Sequence, residues 1–322
     1  MLCRRARECH DSRGARVVSP LRLGTRGSAL ALAQAGTVAA RLGAELVVIE
    51  SEGDRTDASL AELGGAGVFA AALREALLAG EVDAVVHSYK DLPTAALPGL
   101  VVAAVPKRAD ARDALCASGG RSLDALPSGA RVGTGSPRRR AQLLGRRPDL
   151  EVVDIRGNVD TRLGRLDAED PERRLDAVVL AAAGLDRLGR SDAVSELLSL
   201  ASWPTAPAQG ALAVETRAGD AKTVAKLDHA PSRLAAGAER EVLARLEAGC
   251  AAPLGASAIV EDGLLFLSAR VYSLDGQVQL TASHALYPED ASDPAGELAA
   301  RVAEELLAAG AAELIPAGEL GR

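Results

Sequence analysis

The sequence predicts an α/β protein: two similar domains with a central cleft, followed by a small α+β domain. Three observations carry this. First, a strand, a glycine-containing turn and a helix occur twice: Leu23-Gly24-Thr25-Arg26-Gly27-Ser28 leads into one helix and Val132-Gly133-Thr134-Gly135-Ser136 into another. Second, the strand Asp83-Ala84-Val85-Val86 returns in the same order as Asp176-Ala177-Val178-Val179. Ordered self-similarity marks a duplicated unit. Strands alternating with helices predict parallel sheets with right-handed crossovers. Third, the chain closes with a helix, three consecutive strand-like runs and a helix.

The elements follow in order. Leu21 begins the first strand, 29–42 reads as a helix of strong formers, and Glu45–Glu50 is a second strand. Residues 51–67 form a polar, glycine-rich loop. Val68–Leu78 is a helix that Gly80 ends. Asp83–Val86 then leads into His87-Ser88-Tyr89-Lys90-Asp91-Leu92-Pro93. Pro93 stops the strand. Ligands of open α/β sheets bind beyond the carboxyl ends of strands. Lys90 and Asp91 are therefore a candidate catalytic or binding pair, against the plainer reading of a solvated ion pair. Lysine is scarce here (Lys90, Lys107, Lys222 and Lys226), which favours a role for Lys90.

In the second half, Pro137–Leu144 reads as a helix and Glu151–Ile155 as a strand, followed by Arg156-Gly157-Asn158 and Arg162. Both glycine turns feed helix N-termini, where free N–H groups and the helix dipole favour an anion. Arg26 and Ser28 flank the first turn. Thr134, Ser136, Arg138, Arg139 and Arg140 flank the second. Guanidinium forks suit carboxylates or phosphates; the alternative is a solvated basic helix start. Ser202–Gly210 is a proline-rich crossing and Ala211–Glu215 a strand. After Ala230-Pro231, Ser232–Glu247 is a helix. Strands 256–260, 264–274 and 277–286 follow, with hairpin turns at Glu261-Asp262-Gly263 and Asp275-Gly276, and 297–307 is the last helix.

The composition excludes several classes. Hydrophobic content of 48% and charged content of 25% suit a soluble globular protein. Aromatics are 2%, so the core must be Ala, Val and Leu. A net charge of −7 and a pI near 5.3 argue against a general nucleic-acid binder. No apolar run reaches the ~18–20 residues that span a bilayer. Met1–Pro20 has no apolar secretory region and is expected to be a disordered extension. The scattered cysteines (Cys3, Cys9, Cys116, Cys250) fit a reducing cytoplasm, with no metal set. Cys116 lies in an apolar strand. Cys250 lies in a glycine-flanked loop after a helix, where a thiol can be reactive or a small hydrophobe.

Six stretches in order resemble the porphobilinogen deaminase family: Arg22–Ser28, Val86–Pro93, Val132–Arg139, Arg156–Arg162, Gln209–Ala211 and Leu246–Cys250. The resemblance covers nearly the whole chain from Leu21. It implies two type II periplasmic-binding-protein-like domains and a third α+β domain: 21–106 with 206–228, 107–205, and 229–322. It implies condensation of four porphobilinogen molecules into 1-hydroxymethylbilane with loss of ammonia, a step of haem and other tetrapyrrole biosynthesis. The reaction runs on a dipyrromethane cofactor held by a thioether to Cys250. Asp91 matches the catalytic aspartate, stabilising the cationic azafulvene and protonated pyrrole and moving protons. Lys90, Ser88, Thr134, Ser136, Arg138, Arg139 and Arg162 match cofactor contacts. Arg26, Ser28, Arg156, Arg187 and Gln209 match substrate contacts. A cytoplasmic monomer is implied.

Two positions depart from the family pattern inside these regions. Ala66 stands where many relatives carry Lys, and Ala208 stands where Gly is usual, a change expected to matter little. The two-domain echo alone also suits a solute-binding protein or an effector-sensing domain. A thiol enzyme using Cys250 would need a base, and His87, His229 and His284 lack a partner motif.

Overall fold

The computed structural model describes residues 20–50, 67–249 and 252–315, together with a short pairing of β1 (Cys9–His10) with β2 (Arg16–Val17). The expectations for the rest of the N-terminal extension, for the loop carrying Ala66 and for Cys250 itself lie outside the described residues.

The first half begins with β3 (Arg22–Thr25), α1 (Ala29–Leu42), β4 (Glu45–Val48), α2 (Gly67–Ala79), β5 (Ala84–Ser88) and β6 (Leu100–Ala104). Gly80 takes φ +75° after α2, the left-handed turn that ends a helix without strain. The chain then crosses to β7 (Asp113–Ala117), β8 (Arg131–Gly133), α3 (Pro137–Arg146), β9 (Glu151–Val153), α4 (Val159–Leu163), β10 (Ala177–Ala181), α5 (Ala182–Arg187) and β11 (Glu196–Leu197). It returns as β12 (Leu212–Arg217). The last part is α6 (Ala230–Arg245), β13 (Leu254–Glu261), β14 (Leu264–Tyr272), β15 (Gln279–Leu286), α7 (Pro294–Ala308) and α8 (Ala311–Leu314).

The two larger sheets have the same plan: β4-β3-β5-β12-β6 in one and β9-β8-β10-β7-β11 in the other. In each, the fourth strand arrives from the opposite half. That strand is antiparallel to its neighbours: β12 to β5 and β6, β7 to β10 and β11. The sheets are therefore mixed, not wholly parallel as the repeat predicts. The cause is topological. β12 enters at the carboxyl end of β5, with Leu212 beside Ser88, and β7 enters at that of β10, with Asp113 beside Ala181. A chain entering at that edge runs back against the strands already there.

The small domain is an antiparallel meander, β13-β14-β15. Leu265, Leu267, Ala269 and Val271 of β14 alternate inward and pack with Val242 and Leu246 beside α6 and Leu298, Val302 and Leu306 of α7. Each leucine buried as fully as Leu265 contributes about 1.5–3 kcal/mol. With so few aromatics, such leucines and valines supply most of the cores; Trp203, 2% exposed, is an exception in the second half.

Candidate active site

The two glycine turns build equivalent corners. Ser28 caps α1, its side chain accepting from Ala31 N, and Ser136 caps α3, accepting from Arg139 N with Pro137 in the first turn. Each hydroxyl keeps its proton to donate. Thr134 is buried and its Oγ1 accepts from Ser136 N at 3.2 Å. A Cβ at Gly135 would lie 2.7 Å from Ile155 O, so only glycine lets this turn meet the end of β9. The half-buried Arg26 follows the buried Thr25 at the end of β3.

β5 ends at Ser88, whose Oγ accepts from Gln34 Nε2 of α1 at 2.8 Å. A single 3₁₀ turn, Tyr89–Asp91, follows and leaves Asp91 exposed. Beneath it, His87 is buried with Nε2 3.3 Å from Glu215 Oε2, and Arg74 grips the same carboxylate with Nε and Nη2. Lys90 is half-buried and Nζ donates to Gln209 Oε1 at 3.3 Å. Burial pulls its ammonium below the ordinary lysine range; Asp91 and Asp113 oppose this, while Arg139 and Arg138 add to it.

Asp113, wholly buried at the start of β7, is a hub that the sequence did not reveal. Its carboxylate accepts from Arg139 Nη2 at 2.6 Å, Gln209 Nε2 at 2.8 Å and Trp203 Nε1 at 2.9 Å, with Arg138 Nη2 also at 2.9 Å. Burial alone would raise its pKa, but Arg138 and Arg139 hold it far below the carboxylate range. Arg138 also reaches Gln142 and Pro204 O, and Arg139 reaches Val179 O. Both arginines are fixed by these bonds, and each buried Nε is left without an acceptor.

Gln209 ties the proline-rich crossing, 202–210, to this hub. Its amide also donates to Ala111 O, and its Oε1 accepts from both Lys90 and Arg139. Gly210 on one side has φ +85°, with Ala109 O 2.8 Å from where a Cβ would stand. Ala208 on the other side has φ +61°. Alanine there costs about 1–2 kcal/mol that glycine would avoid, so this departure carries an energetic penalty. Glu239 Oε2 holds Ala208 N at 2.6 Å. Arg187 Nη2 donates to Gly210 O, placing it at the end of that crossing.

Across the second half, Arg156 pairs with Asp154 in an exposed setting and Arg162 Nε donates to Gly157 O. Burial lowers the Arg162 pKa, and Arg139 and Arg156 lower it further. Guanidiniums crowded enough to disfavour one another make a site for a polyanion. The structure thus brings Lys90, Gln209, Arg138, Arg139, Arg156 and Arg162 into one electrostatic group. Arg26 and Ser28 stand at the N-terminal side of α1, where a Cβ on Gly184 of α5 would lie 3.9 Å from Leu30.

Cys250 lies just beyond the described end of the α6 segment, after Gly249. Cys116 is buried, and its burial pushes the thiol up to about 11, which makes it inert. Among the described residues, no His, Cys, Asp and Glu cluster is spaced for a metal, and no helix is long and apolar enough to cross a membrane.

A family profile described as porphobilinogen deaminase, dipyromethane cofactor binding domain, matches residues 21–225, and one described as porphobilinogen deaminase, C-terminal domain, matches 233–308. The chain is 58% identical over 314 residues to the porphobilinogen deaminase of Leifsonia xyli subsp. xyli, covering 92% of this chain and 94% of that one. It is 50% identical over 324 residues to that of Cutibacterium acnes, covering 92% and 97%. A solved arginine transport periplasmic binding protein from Legionella pneumophila aligns with a TM-score of 0.33 at 15% identity, over 64% of this chain and 91% of that one. On the two profiles and these identities, the chain belongs to the porphobilinogen deaminase family.

Proposed function

We propose that this chain joins four porphobilinogen molecules into 1-hydroxymethylbilane with release of ammonia, and that Asp91 is its catalytic residue. The observation that carries the assignment is the setting of Asp91. It is an exposed carboxylate beside Lys90, close to a group of arginines whose internal acids, Asp113 and Asp154, are already engaged.

The donor set fits a dipyrromethane. Two pyrrole rings bring two acetate–propionate pairs, and Arg138 and Arg139 present rigid guanidiniums with unsatisfied Nε groups. We assign Lys90, Ser88, Thr134, Ser136, Arg138, Arg139 and Arg162 to this group, with Cys250 as its covalent anchor. Arg26, Ser28, Arg156, Arg187 and Gln209 are assigned to the incoming substrate. When bound, the cofactor supplies the primer ring to which the first substrate is joined.

The residues divide the work by charge. The arginines hold carboxylates through charge-assisted pairs. When the aminomethyl C–N bond of porphobilinogen breaks, the electron pair leaves with nitrogen and the ring becomes cationic. Asp91 accepts the pyrrole N–H and opposes that charge. It also takes the proton that leaves the ring carbon once the new C–C bond has formed.

The domains follow the sheets, 21–106 with 206–228, 107–205 and 229–322, supported by the return of β12 to the first sheet. A cytoplasmic monomer is consistent with the scattered cysteines and the lack of any heptad seam. Denaturing mass spectrometry tests the assignment. The purified chain is expected to carry an addition of two pyrrole units that Cys250→Ser abolishes. An unmodified, fully active chain overturns it.

A further inference from the structure

We propose that Arg240 is a positioning residue for the condensation: it fixes the turn that carries Lys90 and Asp91 relative to the helix that leads to Cys250. This rests on the assignment of Asp91 above.

The turn has little support of its own. Tyr89 N donates to Ala211 O at 3.0 Å, and Leu92 N returns to Tyr89 O at 3.3 Å. Beside it lies a cavity of about 440 Å³, lined by Arg74, Tyr89, Glu215 and Arg240 together with apolar residues such as Leu97 and Val102. Arg240 spans that gap. Its Nη1 donates to Tyr89 O and Leu92 O, and its Nη2 to Pro93 O, each at 2.8 Å. Its guanidinium also stacks on the Tyr89 ring, 4.5 Å from the centroid. One side chain therefore holds carbonyls on both sides of Lys90 and Asp91.

Arg240 is 8% exposed and forms no ion pair among the described residues. Burying an arginine against neutral carbonyls costs solvation that an ion pair would have offset. What it gains is geometry, since a planar fork can bind several carbonyls at fixed angles. The neighbouring residue shows the same use of α6. Glu239 is wholly buried and accepts from both Arg108 Nη groups, from Ala208 N beside Gln209, and from Ala258 N of β13. Two consecutive buried charges thus hold the Asp91 turn and the 202–210 crossing to one helix. The Lys90–Gln209 contact is where the two held segments meet. Ten residues past Arg240 the same segment reaches Cys250.

Arg240→Lys keeps the charge and the apolar stem but loses the fork; Arg240→Met keeps only the stem. Turnover is measured per cofactor-loaded molecule, with loading read from the intact mass and Asp91→Asn prepared in parallel. The expected result is folded, loaded Arg240→Lys with kcat lower by about 10- to 100-fold, the cost of displacing a reacting group by roughly 1 Å. KM for porphobilinogen should stay within about threefold, because the arginines that hold its carboxylates are untouched. A raised KM with normal kcat overturns the proposal, as does wild-type kcat in either variant. Failure of both variants to load also overturns it, since Arg240 would then serve folding or attachment. If Asp91→Asn is active, the assignment of Asp91 fails; if it is inactive while Arg240→Lys is normal, only the role of Arg240 fails.

Discussion

Replacing Asp113 by Asn should destabilise the protein more than any other single isosteric change near the site. The carboxylate takes four donors, two on each oxygen: Arg139 and Gln209 on Oδ1, Trp203 and Arg138 on Oδ2. An asparagine amide must turn its NH2 toward one of these pairs, so two buried donors face a donor. The negative charge also goes, leaving Arg138 and Arg139 buried without a counterion. Breaking a buried ion pair from one side costs about 3–5 kcal/mol, or about 4–8 °C in Tm for a chain of 322 residues at about 2.1 cal/mol/K per residue. The pH dependence has a definite sign. The folded pKa of Asp113 is depressed, so its contribution is complete above the unfolded value near 3.9 and declines as pH falls below that. The wild-type advantage should therefore be constant from about pH 5 to 8 and smaller by about 1 kcal/mol at pH 3. Denaturant unfolding of both proteins across that range measures it. A Tm difference under about 2 °C at pH 7 would refute the hub.

Two further changes probe the cleft and the contact between domains. Gly276→Ala places a Cβ 2.2 Å from Ala141 O and 2.6 Å from Gly145 N at φ +74°. Both neighbours are backbone and neither can swing away, so a loss of about 1–3 kcal/mol is expected; an unchanged unfolding midpoint would contradict the close contact between α3 and the β14–β15 turn. Arg162→Gln removes one cation from the crowded group and should lower kcat/KM by about tenfold or more with little change in Tm. Unchanged kinetics would remove Arg162 from the binding set.

The duplicated design was legible because it is local: Ser28 and Ser136 do in three dimensions what the repeated Gly-Thr turns imply. The direction of β7 and β12 was not, since it depends on which edge of the other sheet each strand enters. Asp113 looks like half of an ordinary Arg112-Asp113 pair. Its partners come from 25 to 96 residues away. Arg240 sits in Glu239-Arg240-Glu241, which resembles a solvated helix face. A signal was nonetheless present for its neighbour: Glu239 shares the helical phase of Ala235, Val242, Leu243 and Leu246, all buried. A charge at a core phase of a helix points to a tertiary partner.

The most direct test of the account is the turnover of Asp91→Asn, measured on molecules whose intact mass shows the two-ring addition on Cys250. The exposed carboxylate beside Lys90 is assigned to the cations that the reaction creates, while the arginines, serines and Cys250 are assigned to holding the chain. The account predicts a fully loaded variant with turnover almost abolished. A loaded Asp91→Asn that condenses porphobilinogen at the wild-type rate would contradict it.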